Sequence, residues 1–321
     1  MDLAERLLYL RSMPAGPLLQ NEHLWMLASH TTEKSYRPNA LVFAQHDPVS
    51  RLVFMRQGSV VLEQDGMALG VLESPGAVGV RALLANVEMP YAARARSELV
   101  TMEIDADTYT EMLEDHFDVW LTLVRFTFGN LLAIQKRDHE LLHLGPPSAV
   151  AIPQTSSLVE RILYLRRHFF FGQTSVNALA EVAQRMEEQT IDVGHVLYEP
   201  GEPADRFYLP LSGQLTFTTT DNFSCPLDHG VPFGMAEAMA QQPRWGRVVA
   251  SRPTRLLCLH IEPFLDVLED NTEMAMSFLQ RISRLMLELN LAQLRHERSL
   301  SPEAPLRALT ADPTVTTTGT R

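Results

Sequence analysis

Cysteine is nearly absent from this sequence. Of 321 residues only Cys225 and Cys258 carry thiols. Two distant cysteines make no disulfide framework and no Cys-x-x-Cys site, and read as small core residues of a reducing, cytoplasmic compartment. Positive charge is also short. Lys and Arg number 27 against 39 Asp and Glu, a net charge of −12. A duplex-DNA binder normally presents a basic face, because phosphate neutralisation drives its affinity. The strongest basic cluster here is Arg166-Arg167-His168. Direct nucleic-acid binding is therefore disfavoured, and so is an anionic membrane surface. Long apolar runs are missing as well. The most apolar stretch, 120–134, contains Arg125 and Asn130 and reads as too short for a bilayer span. Asp2 and Glu5 at the start argue against a signal peptide.

Histidines are present but in no sequence motif of the metal-binding kind. None of the eleven forms a His-x-His pair. His139 and His143 stand at i, i+4, which gives two ligands where a site needs three or four. The expectation is no metal. Ser/His/Asp constellations and Gly-rich NTPase loops are lacking too, so the expectation is no catalytic residue and no enzyme activity.

What the chain does have is an internal repeat. Leu3-Ala-Glu-Arg-Leu-Leu-Tyr-Leu-Arg11 returns as Leu158-Val-Glu-Arg-Ile-Leu-Tyr-Leu-Arg166, identical at seven of nine positions. The offset of 155 holds without a gap from residue 3 to residue 60. Punctuation repeats with the hydrophobics: Pro48, Arg51 and Gly58 return as Pro203, Arg206 and Gly213, and Gly79 as Gly234. Unrelated segments do not hold one register over such a length, so the chain contains two copies of one domain. Copy one is placed at 1–144, a Pro- and Ser-bearing linker at 145–156, copy two at 157–300, and a polar disordered tail at 301–321.

Each copy passes through the same periodicities. A helix comes first, then a second near 21–30 or 176–189. Short strand patterns follow, at 40–44, 52–55, 59–64 and 99–104 in copy one. In copy two they fall at 196–198, 206–209, 214–219 and 256–260. Such spacing indicates a sandwich or closed roll. A long helix ends each copy, at 107–144 and 263–298. Met274, Phe278, Ile282, Leu285 and Leu289 form an apolar stripe on the second one. That stripe suits either a homodimer seam through the C-terminal helix or packing on its own roll.

Val196-Leu-Tyr-Glu-Pro-Gly-Glu-Pro-Ala-Asp-Arg-Phe-Tyr-Leu-Pro-Leu-Ser-Gly-Gln-Leu215 resembles the early strands of the cyclic nucleotide-binding domain. Phe233-Gly234 followed by Pro243-Arg244 resembles that family's phosphate-binding cassette. The resemblance implies an α+β, mainly β fold of two tandem β-rolls of jelly-roll type, each flanked by helices. It also implies a site. In the family pattern a Gly-Glu pair opens a short helical turn, and Pro-Arg with two small residues closes it. The Arg forks onto the phosphate, the Glu accepts from the ribose hydroxyl, and glycines let backbone N–H groups approach.

In copy two the candidate ligand residues are Gly234, Met235, Glu237, Pro243, Arg244, Trp245, Gly246 and Arg247. The phosphate Arg is kept as Arg244. Met235 stands at the ribose Glu position, and Trp245 replaces a small residue. In copy one the equivalents are read as Gly79, Val80, Tyr91 and Ala92, with a cassette two residues longer. Both charged anchors are then missing. Charge-assisted hydrogen bonds contribute about 1.5–3 kcal/mol each, so losing Arg and Glu removes roughly three to four decades of affinity.

The expectation is a non-enzymatic regulatory, sensor or scaffold protein. Copy two retains weak or altered binding of an anionic ligand such as cAMP or cGMP, and the partner is another protein. The rival readings are a transcription regulator of the catabolite-activator type without its own DNA-binding domain, and a jelly-roll enzyme. In relatives of this family the terminal helix resembles a lid over the ligand.

Overall fold

A computed structural model describes residues 2–139, 157–227, 232–300 and 308–309. The proposed linker at 145–156 lies outside these residues.

Copy one opens with α1 (Leu3–Ser12) and, after a 3-10 turn at Gly16–Leu18, α2 (Asn21–Ser29). The strands β1 (Thr32–Tyr36), β2 (Leu41–Phe43), β3 (Arg51–Gln57), β4 (Ser59–Gln64), β5 (Met67–Glu73) and β6 (Gly76–Val78) follow. Then come α3 (Val80–Leu84), β7 (Ala92–Ala95), β8 (Leu99–Asp105), α4 (Ala106–Asp115) and α5 (Phe117–Arg137). Copy two runs α6 (Leu158–Arg166), α7 (Val176–Arg185), β9 (Glu187–Ile191), β10 (Val196–Tyr198), β11 (Arg206–Thr219) and β12 (Ser224–Leu227). It continues with α8 (Met235–Ala240), β13 (Gly246–His260), α9 (Ile261–Asp270) and α10 (Thr272–Leu300); β14 (Ala308–Leu309) follows.

The repeat is written into local chemistry. Asp2 caps α1 in a reciprocal box with Glu5, satisfying helix N–H groups that lack an intrahelical partner. Ser157 caps α6 by accepting from the Glu160 N–H. Both cap residues keep the 155 offset. Arg6 reaches the Thr31 carbonyl at 2.5 Å, and Arg161 reaches the Met186 carbonyl at 2.5 Å. The Tyr9 hydroxyl donates to the Met55 carbonyl, and Tyr164 donates to Pro210 at 2.9 Å. The same side chains thus tie the leading helix to the roll in both copies.

Roll one is two packed sheets, ordered β1-β8-β3-β6 and β14-β5-β4-β7-β2. Roll two is one folded sheet, β10-β13-β11-β12, with β9 on β13. The difference lies in how the corners are turned. In roll one the chain breaks between β3 and β4 at Gly58, whereas β11 runs through the matching corner with register shifts around Ser212–Gln214. Gly58 and Gly213 both hold φ of +94°, and a Cβ at either would lie 2.3 Å from a facing carbonyl oxygen. Only glycine fits that corner.

Several expected boundaries shift. Residues 187–189 belong to β9, not to the preceding helix. Each long terminal helix is two helices. His116 and Asn271 leave helical geometry at φ −126° and −130° and separate α4 from α5 and α9 from α10. These breaks also stand 155 apart. α5 is, by length and composition, long enough and apolar enough to cross a membrane, contrary to the expectation from 120–134. Half of that stretch is buried; Val124, Phe128 and Leu132 are at most 1% exposed, as in a core helix.

The chain forms two compact units, residues 1–123 with 282–321 and residues 124–281. They differ from the repeat boundaries at 144 and 157 because the dividing points fall inside α5 and α10. The second half of each helix belongs with the other copy's roll. Met274, Phe278 and Ile282 of the apolar stripe are buried within the chain, at 2% exposure or less, while Leu285 and Leu289 are half-buried. The polar tail is described only at Ala308–Leu309, which pairs in parallel with β5; the rest of 301–321 lies outside the described residues. Cys225 and Cys258 are buried free thiols.

Candidate functional site

The cassette of roll two begins at Gly234, which caps α8 in the left-handed region at φ +75°. A Cβ there would come within 2.5 Å of an Arg244 nitrogen, so glycine admits the guanidinium. Arg244 is 2% exposed. One terminal nitrogen donates to the Gly234 carbonyl at 2.9 Å, the other to the Arg206 carbonyl at 2.5 Å. The guanidinium plane lies over Tyr198 at 4.4 Å and near Tyr208 at 5.8 Å. Its backbone is clamped too: Gly201 N–H donates to the Arg244 carbonyl at 2.8 Å, and Arg244 N–H to Glu202 at 2.9 Å. The Pro-Gly-Glu turn therefore sets the arginine's position.

Glu237 is 4% exposed on α8. Burial raises its carboxyl above the usual range, and the charges of Arg244 and Lys136 pull it back. Burial likewise lifts Tyr198 well above a normal tyrosine, and Glu237 adds to the rise. Tyr208 is pushed up to about 12, mainly by burial. Both stay neutral phenols at physiological pH. Met235 is buried in α8. Trp245 is half-buried and packs on Phe217 at 5.0 Å between ring centres. Gly246 is buried against Phe217, while Pro243 and Arg247 are exposed, and Arg247 pairs with Glu199 at 2.9 Å. Gly234, Met235, Glu237 and Arg244 thus form one buried group, and Trp245 and Gly246 belong to the adjoining Phe217 face. Tyr198 and Tyr208 were missed from sequence, although they sit on β10 and β11 inside the segment that carries the resemblance.

Roll one requires a correction of its equivalents. His46 N–H donates to the Met89 carbonyl at 2.8 Å and Met89 N–H to Asp47 at 2.9 Å, the same clamp that holds Arg244. Ala93 pairs with Phe43 as Val248 pairs with Tyr198. The 155 offset therefore runs through the cassette with no two-residue insertion. Met89, not Tyr91, occupies the Arg244 position. Tyr91 and Ala92 match Gly246 and Arg247 instead. Pro90 and Pro243 match in residue type but not in place, because hydrogen-bond register decides equivalence. Gly79, at φ +92°, and Val80 hold their assigned places. With the register restored, the positions of Tyr198, Tyr208, Glu237 and Arg244 in copy two are taken in copy one by Phe43, Val53, Ala82 and Met89, the latter all at most 4% exposed. Tyr91 and Arg81 are half-buried neighbours, and burial raises the phenol while lowering the guanidinium. Arg94 lies on β7, with Glu63 at 3.5 Å.

The helices over the cassettes are exchanged between copies. Leu287, Leu291 and Leu294 of α10 join the apolar cluster of roll one that holds Met89, Ala85 and Tyr91. Arg295 reaches Gln64 at 2.8 Å. On roll two the end of α5 and His139, two residues beyond it, supply the cover. Lys136 donates to Gln242 at 3.3 Å, and the His139 ring lies 4.6 Å from Phe223 and 5.7 Å from Trp245. A terminal helix lying wholly on its own roll is not what the fold builds.

Comparisons with known proteins agree with this architecture. Residues 33–116 and 188–271 each match the cyclic nucleotide-binding domain family. A cAMP-dependent protein kinase regulatory subunit of Yarrowia lipolytica is 32% identical over 133 residues, covering 40% of this chain and 35% of that protein. A cGMP-dependent protein kinase of Caenorhabditis elegans is 20% identical over 259 residues, 78% of this chain and 28% of that one. The chain thus spans about a third of the length of the curated relatives it matches. Among solved structures, the cAMP complex of the regulatory domain of Toxoplasma gondii PKA is 16% identical, with a TM-score of 0.34, over 91% of this chain and 97% of that one. The chain belongs to the cyclic nucleotide-binding domain family and carries two copies of that domain in tandem.

Proposed function

We propose that this chain is a cytoplasmic, non-enzymatic regulatory module that acts by binding another protein, and that neither roll responds to cAMP or cGMP at cellular concentrations. One observation carries this reading. Arg244, the one phosphate anchor kept, has both terminal nitrogens on the carbonyls of Gly234 and Arg206 and lies against Tyr198. A cyclic phosphate would have to take those donors away from both carbonyls; the Gly234 carbonyl keeps the Ala238 N–H at 3.2 Å, so the cost of about 1–3 kcal/mol falls mainly on the Arg206 carbonyl. In roll one the anchor is Met89, and the surrounding side chains are apolar. The protein-partner reading is supported by the Yarrowia relative, by name a regulatory subunit of a protein kinase.

Calorimetric titration of the full chain with cAMP, cGMP and cyclic dinucleotides tests this. The expected result is no saturable heat up to millimolar ligand. Binding below about 10 μM, which corresponds to roughly −7 kcal/mol, overturns it. The Arg244 Nε, buried with no hydrogen-bond partner, is then the first donor to examine.

A further inference from the structure

The fold assembles a group of metal-ligand type that lies 93 residues apart in sequence. His23 sits on α2 and is 5% exposed. His116 is the residue at which α4 breaks from α5, and Asp118 lies in the first turn of α5. One ligand atom from each lies within 4.8 Å of the others. His23 Nε2 is 3.0 Å from Asp118 Oδ2, and the two imidazole rings are 6.0 Å apart. Asp118 Oδ1 accepts from the Val119 N–H at 3.0 Å, which orients the carboxylate and leaves Oδ2 toward His23. Glu22 stands close by, 3.9 Å from His23 Nε2.

We propose that His23, His116 and Asp118 form a divalent transition-metal site, for which zinc is the best-fitting ion. The site joins α2 to the corner between α4 and α5. Two imidazoles and a carboxylate suit zinc and its neighbours; calcium and magnesium call for oxygen ligands. Tetrahedral zinc with bonds of about 2.0–2.1 Å holds its ligand atoms roughly 3.3 Å apart. The His23–Asp118 pair already meets that distance. Asp118 is about half exposed and His116 half-buried, so the longer separations close by side-chain rotation. Glu22 or water completes the fourth position. Copy two provides an internal control. At the 155 offset it has Ala178, Asn271 and Glu273, which retain one ligand type of the three.

The test uses the full chain, stripped with a chelator and titrated with zinc by calorimetry. Elemental analysis gives the stoichiometry, and cobalt serves as a visible-absorption substitute. The expected result is about one ion per chain, a higher unfolding temperature with zinc, and a cobalt spectrum of low-symmetry, four- or five-coordinate type. Changing an outer-shell partner typically weakens a site tenfold to a hundredfold, so His116→Asn and Asp118→Asn, which remove a ligand outright, should each weaken zinc at least about a hundredfold. Asp118→Asn keeps the hydrogen bond to Val119 and carries the test if His116→Asn fails to fold. His139→Ala should leave affinity unchanged. No stoichiometric uptake overturns the proposal, as does uptake unaltered by both ligand variants or abolished by His139→Ala.

Discussion

The two rolls share one backbone register and differ in what fills the space under the cassette. Roll two holds Arg244 and Glu237 with Tyr198 and Tyr208; roll one holds Met89, Ala82, Phe43 and Val53 at the same four places. All four positions changed polarity together. A buried polar group is stable only when each member has a partner, and an apolar set is the alternative. A mixture is the costly state. The pair of rolls therefore shows both solutions to one packing problem, in one chain.

The sharpest way to break that comparison is to move the charge alone. Met89→Arg places a guanidinium among Phe43, Val53 and Ala82 with no carboxylate at the place of Glu237, leaving it only the Gly79 and Arg51 carbonyls that correspond to the acceptors of Arg244. It should destabilise roll one by about 4 kcal/mol or more, since a buried charge without an opposite charge is among the most damaging changes. Hydrogen exchange followed by mass spectrometry reads each roll separately; protection in roll one that stays as in the parent would sink the argument. The reverse change, Arg244→Met, should cost roll two about 3 kcal/mol through the lost hydrogen bonds to the Gly234 and Arg206 carbonyls and the lost attraction of the guanidinium for the Glu237 carboxylate. Adding Tyr198→Phe, Tyr208→Val and Glu237→Ala, the residue set of roll one, should recover most of that loss. If the quadruple variant is no better than the single one, the residues do not act as a set.

Acid sharpens the contrast from another side. His168 is 2% exposed, and burial lowers its pKa to about 4, whereas copy one has Met13 at this position. The unfolded state binds the proton near pH 6.5, so the stabilising effect of keeping His168 neutral is complete above that pH. It is lost as pH falls toward 4, by about 3 kcal/mol in all. Denaturation of the second unit at pH 7 and pH 4 should show this dependence, and His168→Met should reduce it by that amount. Leu291→Ala on α10 should loosen roll one by about 2–3 kcal/mol, as for other buried leucines. Roll two exchange rates that change more than those of roll one would refute the exchanged cover. Arg247→Ala, which breaks an exposed pair with Glu199, should cost at most about 0.5 kcal/mol in a urea melt. A larger loss would mean Arg247 has a role beyond that pair.

The tandem architecture was legible because it rests on patterns that local physics imposes. Caps, turn glycines and apolar alternation reappear at an offset of 155, and β11 and β13 contain the strands expected from them. The helix breaks at His116 and Asn271 were not legible, since apolar residues stand on both sides of each: Met112 and Leu113 with Val119 and Trp120 around His116, and Val267 and Leu268 with Met274 and Ala275 around Asn271. The cassette of roll one was misaligned because Pro90 and Pro243 look equivalent in sequence, while the clamp on Met89 exists only once two turns face each other.

The sequence by itself determined two copies of one β-roll and the absence of both charged anchors from the first, because periodicity and residue chemistry are properties of the chain. Only the tertiary structure decided what Arg244 bonds to, which roll each terminal helix covers, and that His23 meets His116 and Asp118. Those are contacts between residues far apart in sequence. They arise when apolar faces find their partners, and no local pattern encodes the choice of partner.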